Sequence, residues 1–251
     1  MMDLKSRLRA SAIHLAISLL VAALAALVVF GLWYPFPYRY ISGGRELFLW
    51  LTLVDVVLGP LITLVIFNLR KTRGHLLIDF TAVGLLQLAA LSYGLWTMFS
   101  ARPVHLVFEY HRMAVVHAVD VPPDLLAKAP TDLQTLPLTG PTLLSLRPLQ
   151  ASEFVESTLQ ALGGVAQAAQ ANLWQPYGAA RAEVLQESQP AAQLRQRFPD
   201  QASTIDHAVA QSGVPIERLR YLPLLARKKA WTVLLDADNI LPVGYVPLDS
   251  F

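Results

Sequence analysis

Four side chains that can carry protons or hydrogen bonds, His14, Asp55, Asp79 and Gln87, interrupt stretches that are otherwise almost wholly apolar. Asp55 stands out, because VDVVLGP (Val54 to Pro60) follows an ionisable acid with Gly59-Pro60, a pair that disturbs helices. An acid at the centre of a bilayer costs at least about 2.5–3.5 kcal/mol on insertion scales, so it should face another helix or a cavity and not lipid. Two aspartates in apolar surroundings raise the possibility of an aspartyl dyad, in which two carboxyls share one proton. Their depths argue against it. At 1.5 Å per residue Asp55 lies roughly 12 Å into its stretch, level with Gln87, whereas Asp79 falls near the start of the following stretch. Asp79 is therefore expected to cap or anchor a helix start beside Arg73 and His75. Asp55, Gly59, Pro60 and Gln87 form the candidate site: a polar notch between helices, in which a protonated or hydrogen-bonded Asp55 is either held internally, by Gln87 or by backbone that Pro60 frees, or used to receive a polar group from another membrane helix.

Other chemistry is weaker. His105, His111 and His117 recur every six residues, and alternate strand residues share a face, but no HExxH or Cys/His cluster accompanies them. Asp236-Ala237-Asp238-Asn239 resembles the start of a calcium loop. Leu241 and Pro247 occupy the positions where that loop needs Gly and Glu, so a hairpin turn is the better reading. Ser203, Asp206 and His207 are neighbours in a polar helix, and a triad is defined by spatial roles instead. No GxSxG, P-loop or GxGxxG sequence occurs. Neither a metal nor a cofactor is expected, and no catalytic residue is assigned.

The elements that position these residues follow from composition. The chain is 54% hydrophobic and 15% charged, and its apolar residues crowd into the first hundred positions. Three runs reach the roughly 20 residues needed to cross a bilayer: about 11–34, 47–67 and 76–99. The first continues to an aromatic end well past the length of a signal-peptide core, so it reads as an uncleaved anchor. Lys5, Arg7 and Arg9 before the first run, with Arg70, Lys71, Arg73 and His75 between the second and third, place the N-terminus in the cytoplasm. With three crossings, everything after about Ser100 then lies outside, which in a Gram-negative cell is the periplasm. Trp33, Tyr34, Tyr38, Tyr40 and Trp96 are expected to form an aromatic belt at the outer interface. A net charge of +2 gives no reason to expect nucleic acid, and the chain has no cysteine.

The fold class is thus a membrane protein with three N-terminal transmembrane helices, N-terminus inside, followed by an α+β periplasmic domain; the boundaries are 1–100 and 101–251. Within the second part, residues 103–121 read as two short strands and the Pro-punctuated run to Pro148 as loop with helical turns. A helix capped by Ser152 is expected over 151–174, weakened by Gly163-Gly164. Further helices are expected at 181–187, 191–198 and 204–212. Strands at 229–235 and 240–246 end the chain, early and late strands pairing around a helical insertion.

Several motifs in combination resemble the TfpX/TfpZ type IV pilin accessory proteins, also known as fimbrial assembly protein FimB. They are WYPFPY (33–38), SGGREL (42–47), VDVVLGPLITLVIFN (54–68), LIDF (77–80), LQLAALSYGL (86–95), ARPVHLVF (101–108) and LDADNILPVGYVPLD (235–249). Residues 121–227 show no matching motif. The resemblance implies a non-enzymatic, multi-pass inner-membrane protein, chaperone-like, which assists the stability or assembly of a cognate type IV major pilin. Such pilins carry a processed N-terminal amine and an early glutamate in an apolar helix, so the notch of Asp55, Gly59, Pro60 and Gln87 is a candidate receptor for one of those groups. The competing reading is a membrane-anchored periplasmic ligand-binding sensor or transport component. Three runs with one central acid are sparse for a transporter, and only about ten residues precede the first run.

Overall fold

The computed structural model describes residues 2–66 and 72–251. Two compact units emerge, one of residues 1–35 and 44–101, the other of 36–43 and 102–251.

Among the described residues the first unit holds three helices long and apolar enough to cross a membrane, Leu4–Trp33, Gly44–Ile66 and Gly74–Ser100. Helix α1 (Met2–Val28) runs into a π-helical turn, Val29–Trp33, which Tyr34 N–H closes onto Val29 O at 2.7 Å. The second long helix is broken into α3 (Gly44–Leu53), a π-helical turn (Val54–Leu58) and α4 (Gly59–Ile66). The third, α5 (Arg73–Ser100), begins at Thr72, whose hydroxyl accepts from His75 N–H. Thr72, and not Asp79, is therefore the cap. Asp79 sits two turns further on, beside Thr63, Leu76 and Phe80. The end of the second apolar run at Phe67, and Arg70 and Lys71 of the expected inner loop, lie outside the described residues.

Packing in this unit inverts the usual rule. Leu49, Trp50, Val65, Leu77 and Leu86 are exposed, while Ser18, Asp55 and Thr63 are buried. In water this arrangement would be costly, whereas in hydrocarbon it is the favoured one. One end is closed by Val29, Tyr34 and Met98, with the Tyr34 hydroxyl donating to Met98 O at 3.1 Å. Gly44 lies so close to the Tyr34 ring that a Cβ there would come within 2.6 Å of it.

The second unit is a mixed sheet flanked on both faces. Its strands are β1 (Pro103–Glu109), β2 (Arg112–His117), β3 (Thr142–Leu146), β4 (Trp174–Pro176), β5 (Gln189–Pro190), β6 (Leu219–Leu225), β7 (Ala230–Asp236) and β8 (Pro242–Val246). They lie in the order β4-β3-β1-β2-β6-β7-β8, with β5 beside β6. The β1–β2 hairpin is antiparallel, and β2 meets β6 in parallel through Met113↔Leu224 and Ala114↔Leu225, joining early and late strands. Every residue of β1 is buried, as befits a strand covered on both faces. One face carries Leu106, Phe108, Met113, Val115, Leu222 and Val233 against Val184 of α8 (Arg181–Glu187). The opposite face divides. Val107, Ala114 and Val116 pack with Leu125 of α6 (Pro123–Leu126) and with Trp174, while Leu219, Tyr221 and Leu234 pack with α9 (Ala191–Arg197) and α10 (Ala202–Ser212).

Several sequence expectations change here. β3 lies inside the stretch read as loop, and β6 was not anticipated. The helix expected over 151–174 is only α7 (Phe154–Leu162), preceded by a 3₁₀ turn that Gln150 and Glu153 cap reciprocally; Gly164 at φ +94° stops it. Tyr38 and Ile41 of α2 (Tyr38–Ile41), between the first two apolar runs, are buried in the core of the second unit, with Ile41 wholly inaccessible. Lys228 N–H donates to Ile41 O at 2.9 Å, and the Tyr38 and Tyr245 hydroxyls meet at 3.3 Å. Phe36 and Tyr40 pack against Trp231. Tyr34 and Tyr38 are therefore protein-buried rather than members of an aromatic belt. Trp96 is largely exposed.

Candidate functional site

The local backbone chemistry of VDVVLGP creates the candidate site. Within the π-helical turn the Gly59 N–H reaches back five residues to Val54 O. That leaves Asp55 O without its usual donor, and the next amide in line, Pro60, has no N–H to offer. A carbonyl stranded in an apolar bundle needs another partner. Gln87 of α5 supplies it, donating from Nε2 to Asp55 O at 3.4 Å. Gln87 thus compensates for Pro60 at the main chain and does not bind the Asp55 carboxylate.

A chain of polar contacts continues from there. Gln87 Oε1 faces His14 Nε2 at 2.8 Å, and His14 Nδ1 faces Thr63 Oγ1 at 2.5 Å. With the Gln87 amide nitrogen assigned to Asp55 O, its oxygen is acceptor only, so His14 Nε2 carries a proton. In the neutral ring Nδ1 then accepts from the Thr63 hydroxyl. Ser11 Oγ donates to Pro60 O at 2.9 Å, tying α1 to the same break. Gly59 permits the close approach, since a Cβ would collide with the Gln87 amide and come within 3.1 Å of His14 Nε2.

Asp55 itself is 8% exposed, and its Oδ1 has no hydrogen-bond partner among the described residues. A buried, unsatisfied carboxylate oxygen among otherwise satisfied groups is the property expected of a site that binds something. Beside this cluster, α1 and α5 bound a groove of about 420 Å³, with walls from Ile13, Ile17, Phe80 and Val83 and with His14 and Gln87 as its polar members. Gly84 opens onto it, for a Cβ there meets nothing within 4 Å.

Asp55, Gly59, Pro60 and Gln87 are thus brought together, while His14, Thr63 and Ser11 join them without having been assigned to the site. Their signal was present as spacing: Asp55, Gly59 and Thr63 stand four apart, one face of a helix, and Ser11 and His14 stand three apart.

The other candidates separate. His105 is buried, with Nδ1 on Thr142 Oγ1 at 2.8 Å and its ring edge-on to Trp174; burial pushes its pKa down to about 4. His117 turns Nδ1 to Asp120 at 3.2 Å, and His111 lies in the β1–β2 turn. Nε2 of His105 and of His117 is buried with no hydrogen-bond partner among the described residues. Among the described residues no three His, Cys, Asp or Glu side chains are grouped to hold a metal. Asp236 and Asp238 both pair with Arg218, at 3.1 and 2.6 Å, and Asp236 also accepts from Asp238 N–H, so the DADN segment is a closed hairpin turn. Asp206 pairs with Arg195 and not with a serine or histidine.

Comparison with known proteins gives a coherent result. The family model described as fimbrial assembly protein FimB matches residues 2–43, ending at the last residue of the segment that joins the second unit. Fimbrial assembly protein, serogroup I, of Dichelobacter nodosus is 34% identical over 96% of this chain and 95% of its own length. The serogroup E1 protein of the same organism is 31% identical over the same shares. The protein of serogroups C1 and C2 is 40% identical over 47% of this chain and 91% of its own. No solved structure matches. With relatives this similar along nearly the whole of both chains, the protein belongs to the fimbrial assembly protein family.

Proposed function

We propose that this protein is an inner-membrane accessory factor of the TfpX/TfpZ type, which holds a cognate type IV pilin in an assembly-competent state. In this reading the three long helices cross the inner membrane with the N-terminus in the cytoplasm. Residues 101–251, with 36–43 docked into them, fold in the periplasm. The part within residues 1–100 presents the notch of Asp55, Gly59, Pro60 and Gln87 to the pilin's apolar helix. The relatives named for fimbrial assembly support the process, and the exposure of apolar side chains over a polar interior supports the membrane setting.

The observation that carries the partner role is the buried Asp55 Oδ1, without a partner among the described residues, on a residue whose main-chain oxygen is held by Gln87, which with His14 is a polar member of the groove. A polar group on an incoming helix would satisfy it, whereas a lipid chain would not. The test is capture of the cognate major pilin from membranes by wild type, Asp55→Ala, Asp55→Asn and Gly84→Leu. Gly84→Leu adds bulk to the groove from a lining position where a new Cβ meets nothing within 4 Å. Asp55→Ala and Gly84→Leu are expected to lose capture while remaining inserted, and Asp55→Asn reports whether charge or hydrogen bonding is required. Undiminished capture by all three removes the notch from binding. Unchanged pilin abundance and surface piliation after gene deletion would remove the pilin-assembly role.

A further inference from the structure

Helix α7 is amphipathic in the wrong sense for a helix on a water-exposed domain. Phe154, Val155, Leu159 and Leu162 are 62–80% exposed, and at 100° per residue they fall within about 140° of one face. The residue turned inward is a serine. Ser157 is buried, donates to Gln170 Oε1 at 2.7 Å and accepts from Gln170 Nε2 through its carbonyl at 3.0 Å. Thr158, the remaining polar residue on the outer face, returns its hydroxyl to Phe154 O at 2.7 Å. The helix is therefore fastened by polar contacts and presents its hydrophobic side chains outward, the reverse of α9 and α10, which bury Leu194 and Ile205.

Area and tethering identify what covers this face. Four side chains on a nine-residue helix offer on the order of 400 Å², the size of the largest apolar patch on a typical monomer, which is often functional. A standard interface takes roughly 800 Å² from each partner, so this patch is too small to hold a freely diffusing protein or a second copy by itself. A surface to which the domain is already joined needs far less, because association is then intramolecular. Only Ala101 and Arg102 separate the end of α5 from β1. Charge points the same way: among the described residues the cations bonded at this helix are Lys128, on Glu156 at 3.4 Å, and Arg147, on Glu153 at 2.6 Å, and each is already paired with an acid, so neither is free to select anionic headgroups.

We propose that α7 lies in the boundary between headgroups and acyl chains, with Phe154, Val155, Leu159 and Leu162 facing the hydrocarbon. This rests on the membrane-spanning reading of the three long helices, and the test separates the two. Because the chain has no cysteine, single nitroxide labels can be placed in the full-length protein in phosphatidylcholine nanodiscs at Leu159→Cys, at Leu88→Cys on α5 and at Gln196→Cys on α9. Collision with oxygen, which favours lipid, is compared with collision with a water-soluble nickel chelate. The expected result is an oxygen-to-chelate ratio several-fold higher at 159 than at 196, with 88 also on the lipid side and the 159 label about 5–10 Å below the headgroups. A label at Val155→Cys should repeat the result with Leu159 intact, and adding Leu162→Glu should return it toward water. A label at 159 as chelate-accessible as 196, with 88 in lipid, overturns the interfacial helix alone. Shielding of 159 from both reagents means that protein covers the face, which also overturns it. Chelate access at 88 overturns the membrane-spanning reading.

Discussion

Replacing Ile41 by alanine tests whether the segment between the first two long helices is structural in the second unit. Ile41 is fully buried among Leu106, Phe108, Met113 and Leu224 in one core cluster, and its carbonyl accepts from Lys228 N–H. Ile41→Ala keeps that hydrogen bond and removes three carbons from a site that no solvent can refill. Such truncations cost about 2–5 kcal/mol, and a value near 3 is expected because α2 is short and its surroundings can partly collapse. With a urea dependence of about 2 kcal/mol per M for a domain of this size, the unfolding midpoint should fall by about 1.5 M. Pulse proteolysis of the full-length protein in detergent across a urea series reads that midpoint from the protected 102–251 region. Leu88→Ala, which truncates an exposed side chain on α5, is the control and should leave the midpoint in place. If Ile41→Ala moves the midpoint no further than Leu88→Ala, the segment is an ornament on the second unit and the argument fails.

Two further outcomes follow from the same structure. His105 has its folded-state pKa depressed to about 4 by burial, against about 6.5 when unfolded, so between those values the unfolded chain binds the extra proton. Stability is then full above pH 6.5 and is lost as pH falls toward 4, by up to roughly 3 kcal/mol, and His105→Gln should flatten that slope in urea midpoints measured across pH. Gly59→Ala forces a Cβ into the Gln87 amide and should cost about 1–3 kcal/mol, seen as a lower thermal midpoint in detergent, whereas Gly84→Ala, with open space at its Cβ, should match wild type. Equal midpoints for the two glycine variants would show that Gln87 yields without cost.

What could be read from residues alone was governed by range. The three long helices, the 103–117 hairpin, the helices at 181–187 and 191–197 and the two last strands announce themselves through local pattern. β6 did not, because Pro223 in RYLPLL argues against a central strand. The sheet accommodates it where β5 opposes Arg220 and Tyr221, β2 opposes Leu224 and Leu225, and Pro223 has no registered partner on that side. β3 hides among prolines, and Gly163-Gly164 stops a helix that composition alone would continue. The notch residues were visible as polar exceptions, but the π-helical turn was not, so Gln87 was matched to the Asp55 side chain instead of its main chain. Tyr38 and Tyr40 illustrate the deepest limit: an aromatic residue at a bilayer edge and one in a core look alike until the distant partner is known.

That partner is very distant. Tyr38 meets Tyr245 across 207 positions of sequence, so the early segment and the last strand must reach the same compartment before the sheet is complete. On the proposed topology, a chain in which only one of the second and third long helices crossed would leave 36–43 and 102–251 on opposite sides of the membrane and the space for Ile41 and Tyr38 empty. The unfinished sheet would then expose its apolar face to the proteases and chaperones of whichever compartment received it. The folded state of the second unit thereby proofreads the insertion of the first, and only correctly threaded molecules would persist to meet a partner.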